Sequence, residues 1–466
     1  MSRIVVVSNR VPVPSGNAGQ AGGLVVALLG LMERRGGLWF GWSGAVVDRA
    51  SAGGPSFTQR GAVGYATLDL TAAEHRGFYT GYSNAVLWPM LHSLPHLMAF
   101  RRQDLDAYRR VNRRFAEALV PLLRRDDRIW VHDYHLLALP GALRARGVEA
   151  PTGFFLHVPF PAPEAAAVAP GIRTLVQDVM AADLLGFQTE SDRDNFAAAA
   201  TGLAGATRGA ADLLHHNGRA VRLGVFPAEI DARDFAATAE AQAKEEPARL
   251  LSRSLPGQAL LLGVDRLDPT KGLPERLEAF RRLAAKRPAR SLSMLQIAAP
   301  SREDVLAYRR LRTELDAAAG AINAEIGEPD WLPLRMLARP QAREVVAGFM
   351  RLARVGVVTP LRDGMNLVAK EYVAAQDPRD PGVLVLSCFA GAAAQLASAL
   401  LVNPHDSEGM AEALAAALDM PLAERRARWQ AAWDAIAGAS PEGWGEAFLR
   451  ALSPEDLAAL PVAGRA

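Results

Sequence analysis

The 466-residue chain contains one cysteine, Cys388, which excludes a disulfide framework within the chain and a cysteine-rich zinc site. Lysine is nearly as scarce. Lys244, Lys271, Lys286 and Lys370 are the four lysines among 52 basic residues, and the rest are arginine. Heavy use of arginine and alanine reads as GC-rich coding, but it draws attention to Lys271, set between Thr270 and Gly272. An excess of one charge sign is lacking as well: 52 Lys and Arg meet 50 Asp and Glu for a net +2, which gives no footprint for nucleic acid. No apolar run suits a membrane. The longest early one, Gly23 to Met32, is half the ~20 residues of a bilayer span and reads as a helix ending at Glu33-Arg34-Arg35. Arg3-Ile4-Val5-Val6-Val7 reads as a strand with no cleavage site after it, so a reducing cytoplasm is the expected compartment. There is no G-x-x-x-x-G-K-[ST], no G-x-G-x-x-G after a strand and no G-x-S-x-G, which sets aside P-loop NTPases, dinucleotide oxidoreductases and nucleophile-elbow hydrolases.

What is present is an ordinary globular balance, 50% hydrophobic and 22% charged, in a length that suits two domains. Short apolar runs alternate with helical periodicity throughout. Strands are expected at 4–8, 38–42, 129–132, 153–157, 184–188 and 221–226, then at 259–264, 293–298, 332–336, 355–359, 383–386 and 399–402. Helices are expected at 105–123, 273–286 and 302–319. This alternation of near-continuous apolar strands with helices predicts an α/β fold of parallel sheets covered on both faces. The pattern breaks once, over 236–256, which reads as a helix and linker. Two doubly wound domains are therefore expected, 1–235 and 236–445. In such sheets ligands bind beyond the carboxyl ends of strands, and the cleft between two domains is the default site.

Three strand-end segments carry candidate chemistry. Ser8-Asn9-Arg10 ends the first strand, and after a glycine-containing loop over 14–23, Gly22-Gly23-Leu24 opens the next helix. Backbone N–H groups at a helix start attract phosphate, and arginine grips it with two donors. Asp265-Arg266-Leu267-Asp268-Pro269-Thr270-Lys271-Gly272 places two cations after an apolar strand, suited to an anionic leaving group such as the diphosphate of a nucleotide sugar; a surface loop with Asp–Arg pairing is the alternative. Thr359 to Glu371 holds Asp363 for sugar hydroxyls, a helix start near Asn366 for phosphate and Glu371 for a ribose diol; the alternative is a capped helix with a charged first turn. His132 and His135 flank Asp133, but that spacing lacks further ligands and reads as strand-end structure rather than a metal site. Taken together, Arg10, Asp133 and His157 in one domain and these cations in the other suit transfer of a sugar from a nucleotide to a phosphorylated acceptor.

The strings SNR (8–10), AGGL (21–24), GGLWFGWSG (36–44), SNAVLWP (83–89), VHDYHLL (131–137), FFLHVPFP (154–161), LLGFQTE (184–190), RLDPTKGLPER (266–276) and TPLRDGMNLVAKEYVAAQ (359–376) carry a resemblance that runs from Ser2 to about Trp433. The sequence resembles the retaining trehalose-6-phosphate synthases, glycosyltransferase family 20. The resemblance implies the GT-B fold, two Rossmann-like domains facing a central cleft, with the last helix, about 446–466, crossing back to the first domain. It implies transfer of glucose from a nucleotide-glucose, UDP-glucose foremost, to glucose 6-phosphate. On the donor side it implies Gly22, Gly23, Arg266 and Lys271 at the diphosphate, Gly364, Met365, Asn366, Leu367 and Val368 along the phosphate-binding turn, Gln341 beside the base and Glu371 at the ribose. Asp363 and His157 would hold the donor glucose, and with Arg266 and Lys271 they form the catalytic set. Arg10, Tyr79, Trp88, Asp133 and Arg302 would form the acceptor site. No cofactor or metal is implied. Self-association is left open, and with no D-x-D-G-T signature a separate trehalose-phosphate phosphatase is expected downstream.

Departures from the family strings fall at Pro269-Thr270 before the lysine, at Gln341 where an aromatic is common, at Glu229 in place of the glycine of P-I-G-I-D, and at Gln395 in place of the glutamate of F-A-G-A-A-N-E-L. A sister transferase with glycerol 3-phosphate or a cyclitol phosphate as acceptor, and a non-catalytic sugar-phosphate sensor, are the competing readings.

Overall fold

The structure is a computed structural model that describes residues 2–12, 23–49, 54–210, 212–453, 455 and 457. The chain forms two compact units, one of Met1–Ala228 with Pro441–Ala466 and the other of Glu229–Ser440. Among the described residues no helix is long and apolar enough to cross a membrane.

Among the described residues the first unit holds ten strands: β1 (Ile4–Arg10), β2 (Gly37–Val47), β3 (Ser56–Arg60), β4 (Val63–Thr71), β5 (Arg128–His132), β6 (Thr152–Phe155), β7 (Leu184–Phe187), β8 (Thr207–Arg208), β9 (Leu213–His216) and β10 (Arg219–Val225). Their order is β3-β4-β2-β1-β5-β6-β7-β10-β9-β8. The central strands are parallel, and antiparallel hairpins close both edges. Successive residues of β1 enter opposite cores: Val5 and Val7 pack on one face, Ile4 and Val6 on the other. That is why the strand reads as continuously apolar. The second face is covered by helix Gly23–Arg35 and by helix Pro441–Ala451, whose Trp444 and Phe448 are buried beside Trp130 and Phe155. Side chains at Gly153 and Gly186 would strike the Phe448 ring, at 2.6 and 2.7 Å, so these two glycines make room for it. The sequence expectation missed β3, β8 and β9, short pieces near the sheet edges, and also β4, whose buried Val63, Tyr65, Ala66, Leu68 and Leu70 alternate with small and polar residues instead of forming a continuous apolar run.

The second unit is a six-stranded sheet of β11 (Ala259–Arg266), β12 (Leu292–Ala299), β13 (Leu334–Leu337), β14 (Val355–Val358), β15 (Val383–Ser387) and β16 (Leu400–Val402). The order is β13-β12-β11-β14-β15-β16, parallel throughout. The segment read as a helix and linker is two helices, Ala232–Gln242 and Glu246–Arg253. Phe235, Ala239, Ala248 and Leu251 bury them in this unit's core. Residues 229–235, grouped above with the first domain, thus lie in the second unit, and the passage between units is at Ala228–Glu229. Residues 441–445, grouped above with the second domain, open helix Pro441–Ala451 of the first unit, where Trp444 is buried.

Candidate active site

Both sheets reverse their winding direction at one point, where doubly wound folds open a crevice. In the first unit that point lies between β1 and β5. Arg10 ends β1, Asp133 follows β5 and His157 follows β6, so these three side chains emerge from neighbouring parallel strands. Arg10 is exposed, and its guanidinium lies so close to Gly44 that a Cβ there would meet Nε at 2.7 Å. Gly22 lies outside the described residues; Gly23 is the first residue of its helix. Tyr79 sits on a π-helix, His75–Leu87, a geometry that is rare and concentrated at functional sites. Its ring stacks on His75 at 5.2 Å and on His135 at 5.7 Å, with Trp42 at 5.8 Å. Trp88 follows directly, buried, with its ring 4.1 Å from His92 and 5.5 Å from Tyr134. Asp133 takes a left-handed backbone, φ 75°, and its Oδ1 accepts the His157 backbone N–H at 3.3 Å. His157 and the buried His132 meet through Nε2 and Nδ1 at 3.0 Å. Burial drives both imidazoles toward the neutral form, His157 to about 3 and His132 well below its usual value.

In the second unit the reversal lies between β11 and β14. There Lys271 Nζ contacts Asp363 Oδ2 at 2.5 Å. The two loops are stitched by backbone: Leu361 N–H donates to Thr270 O at 2.8 Å. Gly272 makes the approach possible, with φ 62° and a Cβ position that would fall 2.2 Å from Thr359 O. Beneath them Arg276, fully buried, donates to Thr359 Oγ1 at 3.0 Å, Gln296 Oε1 at 2.9 Å and Asp265 Oδ2. Burial raises the Asp265 carboxyl, with Arg276 and Lys271 pulling it back.

Asp268 organises the cations. It is fully buried, and its carboxylate lies 3.3 Å from Arg302 Nη1, 3.0 Å from the Tyr308 hydroxyl and 3.9 Å from Arg266 Nη2. Burial by itself would raise this carboxyl, but Arg302, Arg266 and Lys271 outweigh it and hold it at about 2. Arg266 remains half exposed, whereas Arg302 is almost covered and takes φ 49° just after β12. Arg302, assigned to the acceptor by resemblance, is therefore bound into the same cluster as Arg266.

The turn after β14 is braced from the next strand. Asp363 N–H donates to Phe389 O at 3.2 Å, Gly391 N–H to Asp363 O at 3.1 Å and Ala392 N–H to Met365 O at 2.8 Å. A Cβ at Gly391 would sit 1.9 Å from Gly364 O. Asn366, with φ 74°, starts helix Leu367–Ala375 without a side-chain cap. The Ala369 N–H bonds to Asn366 O at 3.3 Å, and the N–H groups of Leu367 and Val368, at the positive end of the helix dipole, are the ones suited to an anion. Glu371 pairs with Arg343 at 3.2 Å; burial raises its carboxyl and Arg343 opposes the rise. Gln341 is half-buried after β13, its amide donating to Pro340 O. Next to Glu371, buried Lys370 pairs with Glu229 at 2.6 Å, and Gln395 donates to the same carboxylate at 2.8 Å. Among the described residues no group of three or more His, Cys, Asp and Glu is placed to hold a metal ion.

Sequence reading gave no site role to Asp268, Arg276 or Tyr308, and took His132 only as strand-end structure. Asp268 and Arg276 lie inside the RLDPTKGLPER string, but nothing in the string says that they are buried.

Two doubly wound units with cations and an uncapped helix start at the strand ends define a transferase of sugars from nucleotide carriers. The glycosyltransferase family 20 model matches residues 2–454, and the chain belongs to that family of glycosyltransferases. It is 45% identical over 461 residues to a trehalose-6-phosphate synthase of Enterobacter sp. (strain 638), covering 97% of this chain and 95% of the relative. Among solved structures it is similar to an α,α-trehalose-phosphate synthase (UDP-forming) from Burkholderia vietnamiensis, with 45% identity, 98% of each chain covered and a TM-score of 0.95. The enzyme of that name from Burkholderia xenovorans, solved in complex with glucose 6-phosphate, aligns over 97% of this chain and 99% of its own, with 45% identity and a TM-score of 0.92. The expected GT-B fold is thereby shown.

Proposed function

We propose that the protein transfers glucose from UDP-glucose to glucose 6-phosphate, with retention, giving α,α-trehalose 6-phosphate and UDP. The observation that carries this reading is the Asp268-centred cation cluster, with Lys271 on Asp363, beside the uncapped helix start at Asn366. In a nucleotide-sugar transfer the bond from glucose C1 to the β-phosphate oxygen breaks, and charge grows on the diphosphate. Arg266, Lys271 and the N–H groups of Leu367 and Val368 are preorganised to meet that charge. The acceptor's anomeric hydroxyl forms the new bond to C1 on the face the diphosphate leaves, and its proton passes to a leaving phosphate oxygen. Asp363 and His157 hold the donor glucose, and Glu371 the ribose. Arg10, Tyr79 and Arg302 take the 6-phosphate, while Asp133 and Trp88 shape the site for acceptor hydroxyls. The protein's contribution is positioning and charge neutralisation, and the reaction runs without a metal. The name "UDP-forming" of a full-length relative supports the uridine donor, and the glucose 6-phosphate complex of another supports the acceptor. The product's phosphate is left for a separate phosphatase in the cytoplasm.

The test is a donor–acceptor matrix in EDTA: UDP-, ADP- and GDP-glucose, each with glucose 6-phosphate, glycerol 3-phosphate or free glucose, with products read by mass spectrometry. Trehalose 6-phosphate from UDP-glucose is expected. Product only with another acceptor reassigns the protein to a sister activity, and no product at all refutes transfer.

A further inference from the structure

An imidazole that holds a sugar can do so as donor or as acceptor, and which one depends on where its single proton sits. His132 ends β5 and His157 follows β6, its parallel neighbour in the sheet. Their ring nitrogens, Nδ1 of His132 and Nε2 of His157, are 3.0 Å apart. Burial disfavours the charged form of both rings, and two nitrogens at this distance share one proton, which belongs to one ring or the other.

The surroundings of His132 decide which. Its ring is fully buried, with the Trp130 ring centre at 4.5 Å and those of Phe155 and Trp444 at 6.5 Å. Among the described residues neither His132 Nε2 nor Trp130 Nε1 has a hydrogen-bond partner. The indole nitrogen is a donor only. A proton on His132 Nε2 would add a second unpaired N–H to the same aromatic pocket, and buried orphan N–H groups are the rarest kind. With the proton on Nδ1 instead, His132 donates to His157 Nε2 and leaves only a lone pair on its own Nε2. His157 must then carry its proton on Nδ1, which has no partner among the described residues.

We propose that His132 is a positioning residue that fixes His157 as the Nδ1–H tautomer, so that His157 offers an N–H donor to an oxygen of the transferred sugar. The inference rests on the proposed function for the identity of that sugar, but not for the tautomer. Imidazole in water favours the opposite tautomer, with the proton on Nε2, so the expectation is sharp.

Ring-15N-histidine protein without ligand, studied by long-range 1H–15N correlation at neutral pH, tests it directly, with His157 assigned from the spectrum of His157→Gln. A protonated Nδ1 and a bare Nε2 at His157 are expected. A proton on Nε2, or averaging between the two, overturns the inference. In His132→Phe the His157 pattern should move toward Nε2–H, and kcat/KM for UDP-glucose should fall about ten-fold, the size of one lost hydrogen bond. His132→Asn, whose amide N–H can stand where Nδ1–H stood, should keep both the tautomer and most of the rate. Wild-type rate in His132→Phe refutes the positioning role; if that variant fails to fold, the wild-type spectrum still decides the tautomer. A chain with the expected spectrum but no transfer in the donor–acceptor matrix would retain the tautomer and lose the proposed function.

Discussion

Glu229→Gln should destabilise the second unit far more than an isosteric change normally does. The Lys370 side chain is 0% exposed, and its ammonium lies 2.6 Å from the Glu229 carboxylate, which is itself 9% exposed. Breaking a buried ion pair from one side costs about 3–5 kcal/mol. For a unit of this size each kcal/mol moves the midpoint by ~2–4 °C, so the transition should fall by roughly 6–20 °C. The pH dependence separates charge from shape. Burial lowers the Lys370 ammonium's pKa, against the pull of Glu229. A lysine whose folded pKa lies below its unfolded value binds fewer protons when folded, so stability rises with pH across that gap. Losing Glu229 widens the gap. The penalty should therefore be largest near neutrality and shrink as pH climbs toward ~10.4, where the unfolded lysine also deprotonates. Scanning calorimetry of both proteins at pH 7 and 9.5 reads this. The exchange Glu229→Gln/Gln395→Glu should recover part of the loss, because Gln395 already touches the Glu229 carboxylate at 2.8 Å. Gln395→Glu by itself should destabilise by setting two carboxylates together. An unchanged midpoint in Glu229→Gln, or equal losses at both pH values, would refute the reasoning.

Lys271→Ala and Arg266→Ala should each lower kcat by roughly 10²–10³-fold, the size seen when one preorganised partner of a developing charge is removed; full turnover in either would sink the leaving-group role. Arg302→Ala should raise the KM for glucose 6-phosphate more than that for UDP-glucose, and an unchanged acceptor response in initial-rate kinetics would remove it from the acceptor site. Gly272→Ala should cost more than the ~1–2 kcal/mol of left-handed strain, because its Cβ would fall 2.2 Å from Thr359 O, and urea unfolding with activity measured in parallel should show both stability and turnover reduced. His157, held neutral to about 3 by burial, binds fewer protons folded than unfolded below its ordinary value of ~6.5. Wild type should therefore lose stability as pH falls from ~6.5 toward 3 more steeply than His157→Gln; parallel slopes in acid titrations would contradict that burial.

The linked departures at Glu229 and Gln395 show how far the sequence could be read. Each was visible as a mismatch to a family string, and neither could be connected to the other, since they lie 166 positions apart. The cation loop was legible for the opposite reason: Arg266, Asp268, Lys271 and Gly272 are local in sequence and follow an apolar strand, so their strand-end placement followed from topology. Of the helix and linker expected at 236–256, the helix is there but the linker is a second helix, too short to announce itself in the sequence; only the burial of its Ala248 and Leu251 shows that it belongs to the core.

The sequence by itself determined the parallel strands at the centre of both sheets, the strand-end positions of Arg10, Asp133, His157, Lys271 and Asp363, and the kind of chemistry those side chains suit. Periodicity and local spacing carry that information, because strands and their following loops are set by neighbours in the chain. Only the tertiary structure decided that Asp268 gathers Arg266 and Arg302, that Arg276 is buried beneath Lys271, that Glu229 answers Lys370, and that His132 faces His157. Apart from Asp268 with Arg266 and Arg276 with Lys271, which are near neighbours in sequence, these are contacts between segments distant in the chain. Burial, which turns a carboxylate or an imidazole from a solvated group into a fixed one, belongs to the packed core and not to any stretch of sequence.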